Sequence, residues 1–189
     1  MKKLLIVVLV LILACVAFVA GRPGRYHIER TVAVAAPPHA VYAELQDFHR
    51  WTAWSPWEGL DPKLQRRYSG ADTGVGAVYE WQGDDKVGEG RMTITESRPH
   101  EFIRFKLEFV KPFASTCTTE FSFRPQGDQT LISWTMMGKN NFLSKAMGLC
   151  MNCDKIVGGQ FDQGLVSMKT VAEAAARESV AEPQLSGKP

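Results

Sequence analysis

Phe102-Ile103-Arg104-Phe105-Lys106-Leu107-Glu108-Phe109-Val110 is the stretch that decides the fold. Ile103, Phe105, Leu107 and Phe109 fall on one side and Arg104, Lys106 and Glu108 on the other. A period of two marks a strand with one dry face and one wet face. Lys111-Pro112 breaks it, because proline cannot donate to a sheet ladder. The alternation resumes over Ser115 to Arg124, with Cys117, Thr119, Phe121 and Phe123 together. Pro125-Gln126-Gly127-Asp128 predicts a hairpin turn, and Thr130 to Met137 returns with Ile132, Trp134 and Met136 on one face.

Towards the N-terminus the same reading gives strands at Gly88 to Ser97, with Met92 and Ile94 on one face, at Ala77 to Gln82, and at Lys63 to Ser69. Gly70, Gly74-Val75-Gly76 and Gly83-Asp84-Asp85 separate them. Phe48 to Trp54 reads as a short helix or turn ended by Ser55-Pro56, and Pro38 to about Asp47 as a short helix with Pro38 in its first turn. His27 to Val34 is another alternating strand. Past the hairpin the period changes. Phe161, Leu165, Met168, Ala172 and Ala175 form a helical stripe, predicting a helix over about Asp154 to Arg177, preceded by a shorter one near Asn141 to Leu149. Strand runs followed by a helix predict an α+β domain, with the long helix covering the apolar face of the sheet.

The chain has 189 residues, which suits one domain. Leu4 to Ala20 is a run of 17 residues, all apolar or Cys, behind Lys2 and Lys3. Removing residues 1–20 takes two lysines and no acid, leaving 20 basic against 20 acidic side chains. The basic tip accounts for the net charge of +2. A neutral domain without a basic stripe gives no support for nucleic-acid binding. As a helix the apolar run spans about 25 Å, the short end of what crosses a bilayer. An uncleaved anchor, a cleaved signal and a lipoprotein signal at Cys15 all fit, and the anchor is the reading taken. It places the domain outside the inner membrane, although Lys2 and Lys3 oppose Arg22 and Arg25 in the charge count. The expected organisation is an anchor over residues 1–21, a linker over 22–25, a domain over 26–177 and a flexible tail over 178–189.

Trp51-x-x-Trp54-Ser55-Pro56-Trp57, Asp61-Pro62, Tyr68-Ser69-Gly70, Gly74-x-Gly76, Trp81, Gly88-x-Gly90, Met92-Thr93-Ile94 and Pro99 resemble the START-like, or SRPBCC, superfamily. Within it the bacterial polyketide cyclase/dehydrase-like group is the nearer likeness. The C-terminal Met151-x-x-Asp154-Lys155-x-x-Gly158-x-x-Phe161-x-x-Gly164-Leu165-x-x-Met168-Lys169 fits as well. The resemblance covers about Tyr26 to Glu173. It implies a helix-grip fold, also called Bet v 1-like: a curved antiparallel sheet around a long C-terminal helix, with an apolar tunnel between them. It implies a lipid, sterol, polyketide or other hydrophobic small molecule as ligand, and it carries no cofactor.

Candidate ligand contacts follow from the inward faces: Trp81, Met92, Phe105, Phe121, Trp134 and Met136 from the sheet, and Gly158, Phe161, Leu165 and Met168 from the helix. Trp51, Trp54 and Trp57 either rim the tunnel or plug the end of the barrel. Gly158-Gly159 either lets the helix backbone approach a sheet or a ligand, or marks a kink or helix start. Cys150-x-x-Cys153 lacks the further ligands a zinc site needs and the strand–helix setting of a redox pair. No metal site is expected. No Ser-His-Asp or Cys-His order is legible, and Glu80 is the only acid nominated for catalysis. Three functions compete: a membrane-tethered carrier of a hydrophobic molecule or lipid, a cyclase or dehydratase acting on an apolar or aromatic substrate, and a protein-binding module like the Hsp90-activator branch. The third requires a cytosolic domain. The protein partner, if any, is not legible.

Overall fold

The computed structural model describes residues 1–149 and 152–185. An apolar helix α1 (Lys2–Ala20) precedes β1 (Arg25–Val34), helix α2 (Pro38–Gln46) and a short 3-10 turn (Phe48–Ala53). Strands β2 (Gln65–Gly70), β3 (Ala77–Gln82), β4 (Glu89–Arg98), β5 (Phe102–Lys111), β6 (Ser115–Gln126) and β7 (Gln129–Lys139) follow. Helices α3 (Phe142–Met147) and α4 (Cys153–Leu185) complete the chain. The seven strands form one antiparallel sheet in the order β1-β7-β6-β5-β4-β3-β2. Its first strand returns beside its last, and α4 lies against the concave face, which is the helix-grip arrangement.

The alternation on β5, β6 and β7 sorts as the sequence predicts. Ile103, Phe105, Phe121, Ile132, Phe161, Leu165 and Met168 are all buried in one core. The convex face carries a ladder of opposite charges. Arg67, Glu80, Arg91 and Glu108 stand directly across from one another on four neighbouring strands. Arg104 there binds both Glu96 and Glu120. Simple alternation would place Arg91 and Glu96 on opposite faces. A bulge between Ile94 and Glu96 shifts the register by one and brings both outward.

Caps fix the short elements. Pro38 opens α2, Asp47 accepts the His49 backbone N–H at 2.9 Å to start the turn, and Asn141 accepts the Ser144 N–H at 2.7 Å to start α3. α4 runs on to Leu185, past Arg177 where its apolar stripe ends. The helix thus takes in residues 178–185 of the expected tail. The Cys150–Cys153 pair lies outside the description: Cys150 is not among the described residues, and neither is the Cys153 side chain.

Two ends of the sheet can be told apart by register alone. The start of β1, the end of β7, the β5–β6 hairpin at 112–114 and the β3–β4 turn at 83–88 lie at the end where α1 joins. The turns at 71–76, 99–101 and 127–128 lie at the opposite end.

Candidate functional site: a cavity open at the α1 end

A cavity of about 1010 Å³ lies between the sheet and α4, in the half of the domain next to α1. That is the upper size range of small-molecule pockets. Ile28, Met92, Leu107, Phe109 and Met136 form its sheet wall, Trp57, Leu64, Trp81 and Val157 its side, and Trp51, Tyr79 and Trp134 its inner end. Arg22, Arg25, Phe113, Lys139, Leu143 and Lys145 lie around its mouth.

Six of the residues nominated from sequence line this space: Trp51, Trp57, Trp81, Met92, Trp134 and Met136. Trp54, Phe105, Phe121, Phe161, Leu165 and Met168 do not; each is at most 2% exposed and packed in the core. The reason is an aromatic plug. Phe161 stacks on Trp134 at 4.0 Å and 7°, Phe121 lies 4.5 Å behind the same indole, and Trp51 contacts Trp54 at 4.7 Å and Phe105 at 5.4 Å. These rings close the inner end of the cavity, and of them only Trp51 and Trp134 line it. The tryptophan trio thus divides: Trp54 plugs, Trp57 lines, and Trp51 does both.

Gly158 also stays outside the cavity. It faces Arg30, whose inward position on β1 is opposite Trp134. The Arg30 guanidinium passes over Gly158, where a Cβ would collide with it, to reach Asp154 at 3.1 Å and Asp162 at 3.4 Å. These carboxylates hold the guanidinium above its usual basicity, the Asp154 hydrogen bond being the main cause. The small residue accommodates an arginine of the protein, not a ligand. Gly164, one turn and a half further on, lets α4 approach Trp134 and Pro56. Trp81 keeps its place because Gly90, directly opposite, has no Cβ to obstruct the ring. Its indole N–H donates to the Val87 carbonyl at 3.3 Å.

Glu80 is on the wrong face. Tyr79 and Trp81 point inward, so Glu80 between them points outward, at 3.8 Å from Arg67 and 3.9 Å from Arg91. Two acids line the cavity, Asp85 in the β3–β4 turn and Glu58 in the loop after Trp57, and Glu58 is the buried one. The Glu58 side chain is 8% exposed and accepts from Arg66 Nε at 2.5 Å and from the Tyr79 hydroxyl at 2.6 Å. Burial, and then the bond to Glu58, push the Tyr79 phenol well above its ordinary pKa, so it remains a neutral donor. The Glu58 bond in turn raises Arg66. Tyr79 was reachable from sequence, since it shares the face of Trp81; Glu58 sits in a loop where no period identifies it. A second polar group, Thr119, donates to the Thr135 carbonyl at 2.8 Å and accepts from the Trp134 indole N–H at 3.0 Å. Among the described residues no group of three His, Cys, Asp or Glu side chains is placed to hold a metal ion.

Residues 25–173 match the family described as "Polyketide cyclase / dehydrase and lipid transport". The chain belongs to this family. Comparison with curated proteins finds no match. Among solved structures, the Chromobacterium violaceum protein CV1439 is similar with a TM-score of 0.57 and 17% identity, over 80% of this chain and 99% of that one. The Aha1 dimer from Colwellia psychrerythraea gives 0.54 and 16%, over 79% and 98%. The di-domain ARO/CYC StfQ from the steffimycin biosynthetic pathway gives 0.54 and 12%, over 83% of this chain and 52% of that one. At these identities the likeness is one of fold. Family membership supports an apolar ligand, and α1 is long and apolar enough to cross a membrane, a property that signal sequences share.

Proposed function

We propose that the protein is a membrane-tethered carrier that holds a hydrophobic small molecule or lipid chain in the sheet–helix cavity, with the domain outside the inner membrane. The observation that carries this is the cavity itself. About 1010 Å³ of space, walled largely by apolar side chains, opens at the end where α1 joins. Apolar enclosure drives binding through the area it removes from water, and the polar trio of Tyr79, Glu58 and Arg66 supplies an orienting contact at one side. Native mass spectrometry of the full chain released from micelles, followed by organic extraction, tests it. A stoichiometric apolar adduct that is lost on Met136→Trp, which fills the cavity, is the expected result. An adduct unaffected by Met136→Trp, or none after exposure to total bacterial lipid, would sink the carrier reading.

One observation favours a second reading, an enzyme of the cyclase or dehydratase kind: a buried carboxylate and a neutral phenol meet at the cavity wall. Glu58 would move a proton and Tyr79 would donate to a developing oxyanion. If Glu58→Gln returns a bound molecule unchanged that the native chain returns altered, the enzyme reading stands; identical extracts from both would remove it.

A further inference from the structure

We infer that the rim of the cavity mouth is a docking surface for an anionic lipid bilayer, so that a ligand passes from membrane to cavity without crossing water. This rests on the tethered reading above. Large apolar side chains are exposed around the α1 end: Val110 near the end of β5, Phe113 in the β5–β6 turn, Phe142 and Leu143 on α3, and Leu149 after it, with exposures between 42% and 57%. Among the described residues, the three turns of the opposite end expose one large apolar side chain, Val75. A water-soluble domain has no reason to concentrate apolar groups at one tip. An interfacial surface does.

The charges point the same way. The cavity lining includes six basic residues, Arg22, Arg25, Lys86, Lys111, Lys139 and Lys145, against the acids Glu58 and Asp85; Lys111 is paired with Glu89 at 2.7 Å, which leaves five. The rest of the domain must then be net acidic, since residues 21–189 balance at 20 and 20. Clustered basic groups beside an apolar rim fit the negative surface of an anionic leaflet.

The third observation is positional. α1 does not trail from the domain. Its Val19 is 3% exposed, and the Lys145 ammonium on α3 donates to the Ala20 carbonyl at 2.9 Å. Asn140 completes the clamp, its backbone N–H donating to the Gly24 carbonyl at 3.0 Å and its side-chain amide to the Pro23 carbonyl at 3.3 Å. Where α1 leaves a bilayer, α3 is therefore held at headgroup depth. Phe142 and Leu143 are then immersed rather than solvated.

The test uses the full chain in vesicles of phosphatidylcholine, with or without phosphatidylglycerol, carrying the photocrosslinker p-benzoylphenylalanine in place of Phe113, Leu143 or Asp128. Asp128 is at the opposite end. After flotation and irradiation, mass spectrometry counts lipid adducts. About tenfold more lipid adduct at the Phe113 and Leu143 positions than at Asp128, rising with phosphatidylglycerol and losing that rise on Lys139→Glu, is expected. A chain that floats with the vesicles after an alkaline wash but crosslinks at the rim no more than at Asp128 overturns the docking surface and leaves the tether intact. Crosslinks into a second copy of the chain instead of lipid overturn it too. A chain that does not float with the vesicles removes the tether and the docking surface together.

Discussion

Phe161→Ala distinguishes a plug from a wall. The ring is 0% exposed, stacked on Trp134 and edge-on to Trp57 at 6.2 Å. Truncation removes about 100 Å³ of side chain, which at about 24 cal/mol per Å³ of residual cavity costs about 2.4 kcal/mol. The lost transfer energy of the ring adds about 2 kcal/mol. The sum, about 4 kcal/mol, falls within the usual range for Phe→Ala in a core. For a domain of this size it lowers the melting temperature by roughly 8–16 °C. The assay is urea unfolding of the full chain in micelles, followed by tryptophan emission and near-ultraviolet circular dichroism, against the native chain. Trp57 and Trp134 both line the cavity, so the new space opens into it and the variant accepts a bulkier ligand than the native chain. A loss below about 1 kcal/mol would refute the reasoning, because a ring that costs so little to remove was already facing empty space.

Two glycines of α4 should respond oppositely to alanine in thermal melts. Gly159 has no atom within 4 Å of a Cβ and gains up to about 1 kcal/mol in helix propensity, whereas at Gly164 the Cβ would sit 2.8 Å from the Trp134 ring and 2.9 Å from Pro56. Overpacking there of about 1–3 kcal/mol outweighs the propensity gain; equal responses would mean that α4 does not approach Trp134 this closely. Thr119→Val leaves the buried Trp134 indole N–H without its partner and lowers stability by about 1–3 kcal/mol, while Thr119→Ser stays near native, as chemical unfolding will show. Tyr79 gives a pH dependence. Its folded pKa is raised above the ordinary 10.0, so its contribution is complete below pH 10.0 and lost as pH rises past it. Urea midpoints taken across that range should fall more steeply for the native chain than for Tyr79→Phe; parallel curves would contradict a buried phenol bonded to Glu58.

The sheet was legible because its burial is one-sided. On β5, Arg104, Lys106 and Glu108 alternate with four apolar residues, and no other structure uses that period. The bulge at Ile94 was not legible, because alternation counts residues and cannot see that one is skipped. The helical stripe from Phe161 to Ala172 identified the covering helix and its buried face. It could not say which part of that face meets empty space. Phe161 and Met136 have the same apolar signature, yet one is stacked flat on an indole and the other borders the cavity. Whether a site is filled depends on neighbours from three or four elements. Gly158 was ambiguous for a related reason: a gap left for Arg30 of β1, 128 positions away, reads in sequence like a gap left for a ligand. Glu58 escaped because a loop carboxylate has no period at all, and its partners Arg66 and Tyr79 belong to two different strands.

The distribution of indoles makes the cavity optically self-reporting. Four of the five tryptophans, Trp51, Trp57, Trp81 and Trp134, line it, and the fifth, Trp54, lies 4.7 Å from Trp51 and 5.8 Å from Trp134. Excitation can migrate among Trp51, Trp54, Trp57 and Trp134, which are linked ring to ring at 4.7–5.8 Å. A molecule that displaces water from any one of these four therefore alters the emission of all four, and Trp81 reports on its own; unlabelled compounds can be screened by intrinsic fluorescence alone, with the colour shift read as dehydration of the cavity wall.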